Sequence, residues 1–333
     1  MIPNHVGFGV WPTTPFPEII ESVRAAESLG IQSAWVVEST LNPSRDCVSI
    51  LGALATHTSK ILIGSGIMNI YTRTPTLIAS TAATIDQLSK GRLVLGLGSG
   101  HRDQISTLHS VPFVKPLQRM REYVKAINHV LTEEVANFSG EFVKITNLKL
   151  GVRPFKDRIP VFVASVGHGM ARVAGEVADG AFLVLVSPER VTELRRSIDL
   201  GAKAAGRETG RVKVACYLPT FLENEAKSGL ESARKVVASY GASPFYRRLF
   251  REMGYVKEAQ GLEACYAQSR ASEAAAQVTD QLTHAVTIVG DAQNCRARIE
   301  EYRRAGVDLP IVQPFYTGGD LQENLLPSLR LAT

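Results

Sequence analysis

Eight short apolar runs, nearly all separated by a stretch of helical periodicity, constrain this chain more than any other feature. They are Val6–Val10, Ser33–Val37, Ile61–Ile63, Leu93–Leu97, Val161–Ala164, Ala181–Val186, Val212–Phe221 and Leu309–Gln313. In the third and fourth the apolar residues are consecutive, not alternating, as in strands covered on both faces of a parallel sheet. Between the first two, Ile19, Ile20, Val23, Ala26 and Leu29 recur at helical steps opposite Glu21, Arg24 and Glu27. After the third, Pro75 opens a helix carrying Leu77, Ile78, Thr81, Ala82, Ile85 and Leu88, which Lys90-Gly91 closes. Eight such alternations predict a closed (β/α)8 TIM barrel. An open doubly wound sheet usually has fewer strands and an early glycine fingerprint, and no GxGxxG follows the first strand here. A length of 333 residues suits one such unit.

Two segments break the alternation. Asn137 to Gly151, with Phe138, Phe142, Val143 and Ile145 around Ser139-Gly140, reads as a β-hairpin or an excursion over the barrel rim. Residues 223–283 read as a helical insertion after strand seven. Within it, Phe245, Tyr246, Leu249, Phe250, Met253 and Tyr255 are interleaved with Arg247, Arg248 and Arg251. That pattern suits a helix face packed on the barrel or on a subunit partner, and equally the wall or lid of a substrate pocket. Thr287 to Asp291 is expected to start the last helix before strand eight.

Composition excludes several classes. Hydrophobic residues make up 45% and charged residues 21%, so the chain is globular. No apolar run approaches the roughly 18 residues of a membrane span, and the N-terminus has no basic region before an apolar one, so a cytoplasmic protein with no membrane contact is expected. The net charge of +5 and pI near 9.0 favour an anionic small ligand, but the basic residues are dispersed and nucleic acid binding is not expected. Cys47, Cys216, Cys265 and Cys295 are far apart, and the seven histidines form no metal-ligand pair, so no metal is expected.

In such a barrel the reactive groups gather at the carboxyl ends of the strands. Those ends hold Trp11, Glu38, Ser39, Gly66 to Asn69, Ser99 to Arg102, Ser165 to Gly169, and Ser187. Gly64, Gly66, Gly96, Gly98 and Gly100 crowd the ends of strands three and four, as the floor of a cofactor site would, or as tight turns would. Residues 165–170 precede a helix, whose free N–H groups and dipole suit a phosphate, although a plain capped turn has the same form. No GxSxG elbow is present, so a hydrolytic nucleophile is not supported.

The segments WVVE, GSGIMNIYTRTP, LSKGRLVLGLGSG, VASVGHGMARVAGEVADG and TIVGDAQNCRARIEEYRRAGVDLPIV, in that order, resemble the bacterial-luciferase-like flavin and deazaflavin oxidoreductases. The nearest resemblance is to the coenzyme F420-dependent branch similar to methylenetetrahydromethanopterin reductase. The resemblance implies a (β/α)8 barrel with the insertion after strand seven, a homodimer, and a non-proline cis peptide at Gly66-Ile67 against the tricyclic ring. It implies hydride transfer at the deazaflavin C5 to or from a small-molecule substrate, with FMN as the alternative cofactor and an FMNH2/O2-dependent monooxygenase as the alternative activity. A cofactor-binding barrel without turnover is a third reading. By position, Glu38 and Ser39 match an acidic residue and its neighbour that are often aspartate then histidine in related enzymes. Asn69 and Arg73 match the NxYxR element, and Ser99, Gly100 and His101 match a strand end where several relatives carry glutamate. Glu38 and His101 are thereby the candidate catalytic residues. Ser39, Gly66, Ile67, Met68, Asn69, Ser99, Gly100, Ser165, Val166, Gly167, His168, Gly169 and Met170 are the candidate cofactor-binding residues.

Overall fold

The computed structural model describes residues 6–38, 44–222 and 226–315 with residues 327 and 330, and residues 226–228 by backbone alone. Eight parallel strands close on themselves: β1 (Gly7–Val10), β2 (Ser33–Val36), β3 (Leu62–Ser65), β4 (Leu93–Gly98), β5 (Val161–Ala164), β6 (Gly180–Val184), β7 (Lys213–Leu222) and β8 (Leu309–Pro314). Each pairs with its neighbour, and β8 with β1, where Gly7 stands opposite Ile311; the ring has no free edge. The expected TIM barrel is the fold observed.

Helices start where local chemistry dictates. Pro75, Pro116, Pro188 and Pro244 each occupy a first turn, where the missing N–H costs nothing. Thr74, Ser187, Asp46 and Asp291 each accept a first-turn N–H through the side chain, at 2.8–3.3 Å. The insertion after β7 consists of helices Ala226–Tyr240, Pro244–Glu252, Val256–Ala267 and Asp280–Val286, with a 3₁₀ turn at Ala271–Gln277. The hairpin forms from Ala136–Ser139 and Lys144–Leu148, and buried Glu122 accepts the N–H groups of Glu141, Phe142 and Val143 in its turn.

Two details depart from the pattern read in the sequence. Ile288–Gly290 is not the start of a helix but a short parallel strand on Thr220–Leu222, and the helix begins after Asp291, at Ala292–Arg304. A helix at Arg102–Leu108, which carries too few apolar positions to show a period, follows β4. Among the described residues no helix is long and apolar enough to cross a membrane.

The barrel interior explains the glycines. Trp35, Val94, Phe162, Phe182, Ala215, Tyr217, Leu309 and Ile311 form one inward-facing buried cluster. Its rings meet closely, Trp35 to Phe182 at 4.8 Å and Phe182 to Tyr217 at 4.9 Å between centroids. A Cβ on Gly64 would overlap the Trp35 indole, one on Gly180 the Phe162 ring, and one on Gly66 the Tyr217 hydroxyl. Large rings on some strands therefore require bare backbone on others. Of the five glycines crowding β3 and β4, Gly64 and Gly66 make room for these rings, whereas Gly96 lies against Ser65 O, Gly98 against the Ile67 side chain and Gly100 against Asn69 Nδ2.

Candidate active site at the barrel mouth

Above the buried rings lies one more inward layer, at the carboxyl ends of the strands. Val37, Ala164 and Val184 rest on the ring cluster, and the Ile67 side chain lies across Gly98, where a Cβ would overlap it. This makes an apolar, shallow floor. The Gly66-Ile67 peptide is cis, and the Gly66 N–H is bonded to Val36 O at 2.7 Å. Gln313 follows Leu309 and Ile311 on the inward side of β8 and is 2% exposed. A Cβ on Gly9 would stand 3.2 Å from the Gln313 Cβ and 2.9 Å from the Tyr217 ring, so the Gln313 side chain sits over Gly9 beside Tyr217.

Glu38 is tied into the wall. One oxygen accepts the Asn69 N–H at 2.7 Å and the other lies 3.3 Å from Arg73, which also holds Asp46 at 2.5 Å. Burial outweighs these contacts and raises the carboxyl above its usual range. Both oxygens of Glu38 are thus engaged, and they fasten the segment after β3 to the end of β2. Asn69 is fully buried; its Oδ1 accepts the Tyr71 N–H at 2.7 Å, and its Nδ2 has no partner among the described residues. Gly100, at φ +63°, passes so close to Nδ2 that a Cβ there would overlap it. Met68 is wholly buried in the core between barrel and helices, and only its backbone, paired with Leu97, lies at the mouth. Ser99 donates only to Gly100 O at 3.4 Å. Ser39 lies outside the described residues.

His101 stands under the insertion. Its ring packs on Phe245 at 5.4 Å and Tyr246 at 5.2 Å, so the aromatic cluster of that segment is a wall of the mouth. Loss of solvent lowers its pKa to about 4, and the imidazole is neutral at neutral pH. Its Nδ1 has no partner among the described residues.

Helix His168–Val177 begins at the same end, capped by Gly167 without a side-chain bond. The first N–H groups of a helix have no internal acceptor, and a Cβ on Gly167 would meet open space, so this turn is accessible to an anion. Gly169 faces Leu117. The Ser165 hydroxyl lies within donating distance of Val163 O at 2.9 Å and Met170 O at 3.3 Å, and Val166 and Met170 are partly buried against the core. The His168 side chain turns away. Arg190 donates to its Nε2 at 2.9 Å, which leaves the proton on Nδ1 for Ser197 Oγ, also at 2.9 Å. Arg190, with a 5% exposed side chain, further binds Glu193 at 2.9 Å and Glu252 of the insertion at 2.6 Å.

Sequence reasoning missed Gln313, Tyr217 and Arg190. Gln313 left one signal, a polar residue in an otherwise apolar run, at an inward position. Among the described residues the mouth has an apolar floor, buried polar atoms without partners on Trp11, Asn69, His101 and Gln313, an open helix N-terminus, and few acids or bases. Chemically, such an arrangement suits a flat apolar ligand that carries an anionic group. It is poorly equipped for hydrolysis.

Comparison with known proteins agrees. Residues 1–309 match the luciferase-like monooxygenase family. The chain is 29% identical over 307 residues to 5,10-methylenetetrahydromethanopterin reductase of Methanolobus tindarius, covering 89% of this chain and 90% of that one. The structure of the coenzyme F420-dependent tetrahydromethanopterin reductase from Methanopyrus kandleri superposes with a TM-score of 0.86 at 26% identity, over 98% of this chain and 97% of that one. An F420-dependent secondary alcohol dehydrogenase shares the fold, with a TM-score of 0.77 at 17% identity over 98% of each chain.

Proposed function

The chain belongs to the luciferase-like monooxygenase family, and on that premise we propose that it is a coenzyme F420-dependent oxidoreductase acting on a small organic substrate. The observation that carries this is the full-length likeness, in sequence and in structure, to the F420-dependent reductase of Methanopyrus kandleri. The residues fit the cofactor. Ile67, Val37, Ala164 and Val184 form a floor for a flat ring, and Asn69 Nδ2 and Gln313 Oε1 are buried polar atoms without partners among the described residues. The turn Gly167–Gly169 would take the phosphate.

When bound, the deazaflavin supplies C5 as a two-electron hydride donor or acceptor. The chain's own part is to bind, orient and exclude water. Holding two reactants at near-attack distance accounts for most of the rate in such a step, which is why so few titratable groups are needed. His101 is placed to hydrogen-bond the substrate as a neutral imidazole, with Phe245 and Tyr246 shielding it.

Titrating the purified protein with F420 and with FMN, followed by fluorescence, tests the proposal. Tight F420 binding with weak FMN binding is expected. Tight FMN binding with no affinity for F420 would overturn it in favour of an FMNH2/O2-dependent monooxygenase.

A further inference from the structure

Among the inward residues of the top layer, Val37, Ile67, Gly98, Ala164 and Val184 are apolar or bare backbone. Gln313 is the polar exception. Its side chain is nine-tenths buried by a wide margin, yet its Oε1 has no hydrogen-bond partner among the described residues. A buried carboxamide left this way is destabilising, and a core position beside Tyr217 and Gly9 would be better filled by methionine or leucine if packing were its role. Trp11 shares this side of the mouth: β1 and β8 are paired, its ring meets Phe315 at 5.3 Å, and its buried Nε1 is likewise without a partner. A carboxamide, with its acceptor oxygen beside its own N–H donors, is complementary to the N–H and one C=O of an imide edge, C=O, N–H, C=O, and an indole N–H can donate to the other C=O. Deazaflavins and flavins both carry that edge on the pyrimidine ring.

We infer that Gln313, with Trp11 beside it, reads the imide edge of the bound ring and so fixes which way round the ring lies on the floor. The inference rests on the redox-cofactor reading above. Gln313 is a positioning and specificity residue, and its carboxamide accepts from the ring N–H while the indole and amide N–H groups donate to the flanking carbonyls.

The test compares wild type with Gln313→Met and Gln313→Glu. Three quantities are measured: the melting temperature of the ligand-free protein, the Kd for F420 and FMN, and the Kd for N3-methyl-FMN, which lacks the imide N–H. For whichever ring the wild-type protein binds, Gln313→Met is expected to weaken affinity on the order of tenfold, the worth of one hydrogen bond to a buried amide. The ligand-free variant should melt no lower than wild type, because it sheds an unpartnered polar group. Wild type should reject N3-methyl-FMN relative to FMN, and Gln313→Met should not. Gln313→Glu keeps the volume and an acceptor, so it should bind the rings more tightly than the methionine variant.

Unchanged ring affinity in Gln313→Met, or a lowered ligand-free melting temperature, overturns the inference and leaves the oxidoreductase reading standing. Wild-type protein that binds neither F420 nor FMN overturns both.

Discussion

The two ends of the barrel bury similar polar side chains and treat them in opposite ways. At the closed end, the five donors of Arg92 all find acceptors: Ser89 O, Thr58 Oγ1 and O, Ile61 O and Ala55 O, at 2.7–3.0 Å. Asp308 likewise takes Arg195 at 2.9 Å, Lys213 at 3.1 Å and the Val214 N–H at 2.8 Å. Gln32 Oε1 and Asp86 Oδ1 are exceptions there, the latter facing Lys156 Nζ at 3.7 Å. At the mouth, Trp11 Nε1, Asn69 Nδ2, His101 Nδ1 and Gln313 Oε1 stand at four strand ends with no hydrogen-bond partner among the described residues. Satisfied burial builds a fold; unsatisfied burial gathered in one place marks where a ligand completes it.

The comparison is broken most directly at the closed end. Arg92→Met leaves four buried carbonyls and a hydroxyl without a donor, and should cost about 3–5 kcal/mol in chemical denaturation while ring affinity of the folded protein stays unchanged. A loss of affinity larger than the loss of stability would show that the two ends are not independent. At the mouth, Gly98→Val forces the Ile67 side chain off the floor. Ring affinity should fall roughly ten- to a hundredfold in titration, for a stability loss of only about 1–3 kcal/mol.

Acid sharpens the contrast through His101. Its folded pKa, about 4, lies below the ordinary value of 6.5, so the folded state binds fewer protons than the unfolded state between those values. Stability from this group is therefore full above pH 6.5 and is lost as pH falls toward 4. Between pH 7 and pH 5 the loss should be about 2 kcal/mol, and His101→Phe, which keeps the ring packing, should remove that slope from urea titrations. The smallest effect is expected at Glu38. Glu38→Gln keeps an acceptor for the Asn69 N–H, and Arg73 retains Asp46, so stability should change by less than about 1 kcal/mol and turnover by no more than a few-fold. A hundredfold fall in kcat with KM intact would place Glu38 in the chemistry.

Much of this molecule is legible in one dimension because strands and helices announce themselves locally. Consecutive apolar residues in β3 and β4, proline and glycine at helix ends, and the composition shift after β7 all act over a few residues. They place the strand ends to within two residues, strand three ending at Ser65 and not Ile63 and strand six at Val184 and not Val186, and so list the mouth residues Glu38, Ile67, Asn69, His101 and Gly167. The same signals misread Ile288–Gly290, whose strand character comes only from pairing with Thr220–Leu222. They also miss Arg102–Leu108, which is too short and polar to show a period.

By itself the amino-acid order determined the count of alternations, and with it the closed barrel and the end at which chemistry belongs. What each mouth residue does was decided only by closure. Bringing β8 against β1 puts Gln313 over Gly9, and bringing the eight strands round an axis sets Gly64, Gly66 and Gly180 against Trp35, Tyr217 and Phe162. Those neighbours are far apart along the chain, so no local pattern encodes that a glycine there yields to a ring, or that a buried glutamine finds no partner among the described residues. Burial and hydrogen-bond satisfaction are properties of the assembled set of contacts, and they exist only once the ring of strands has closed.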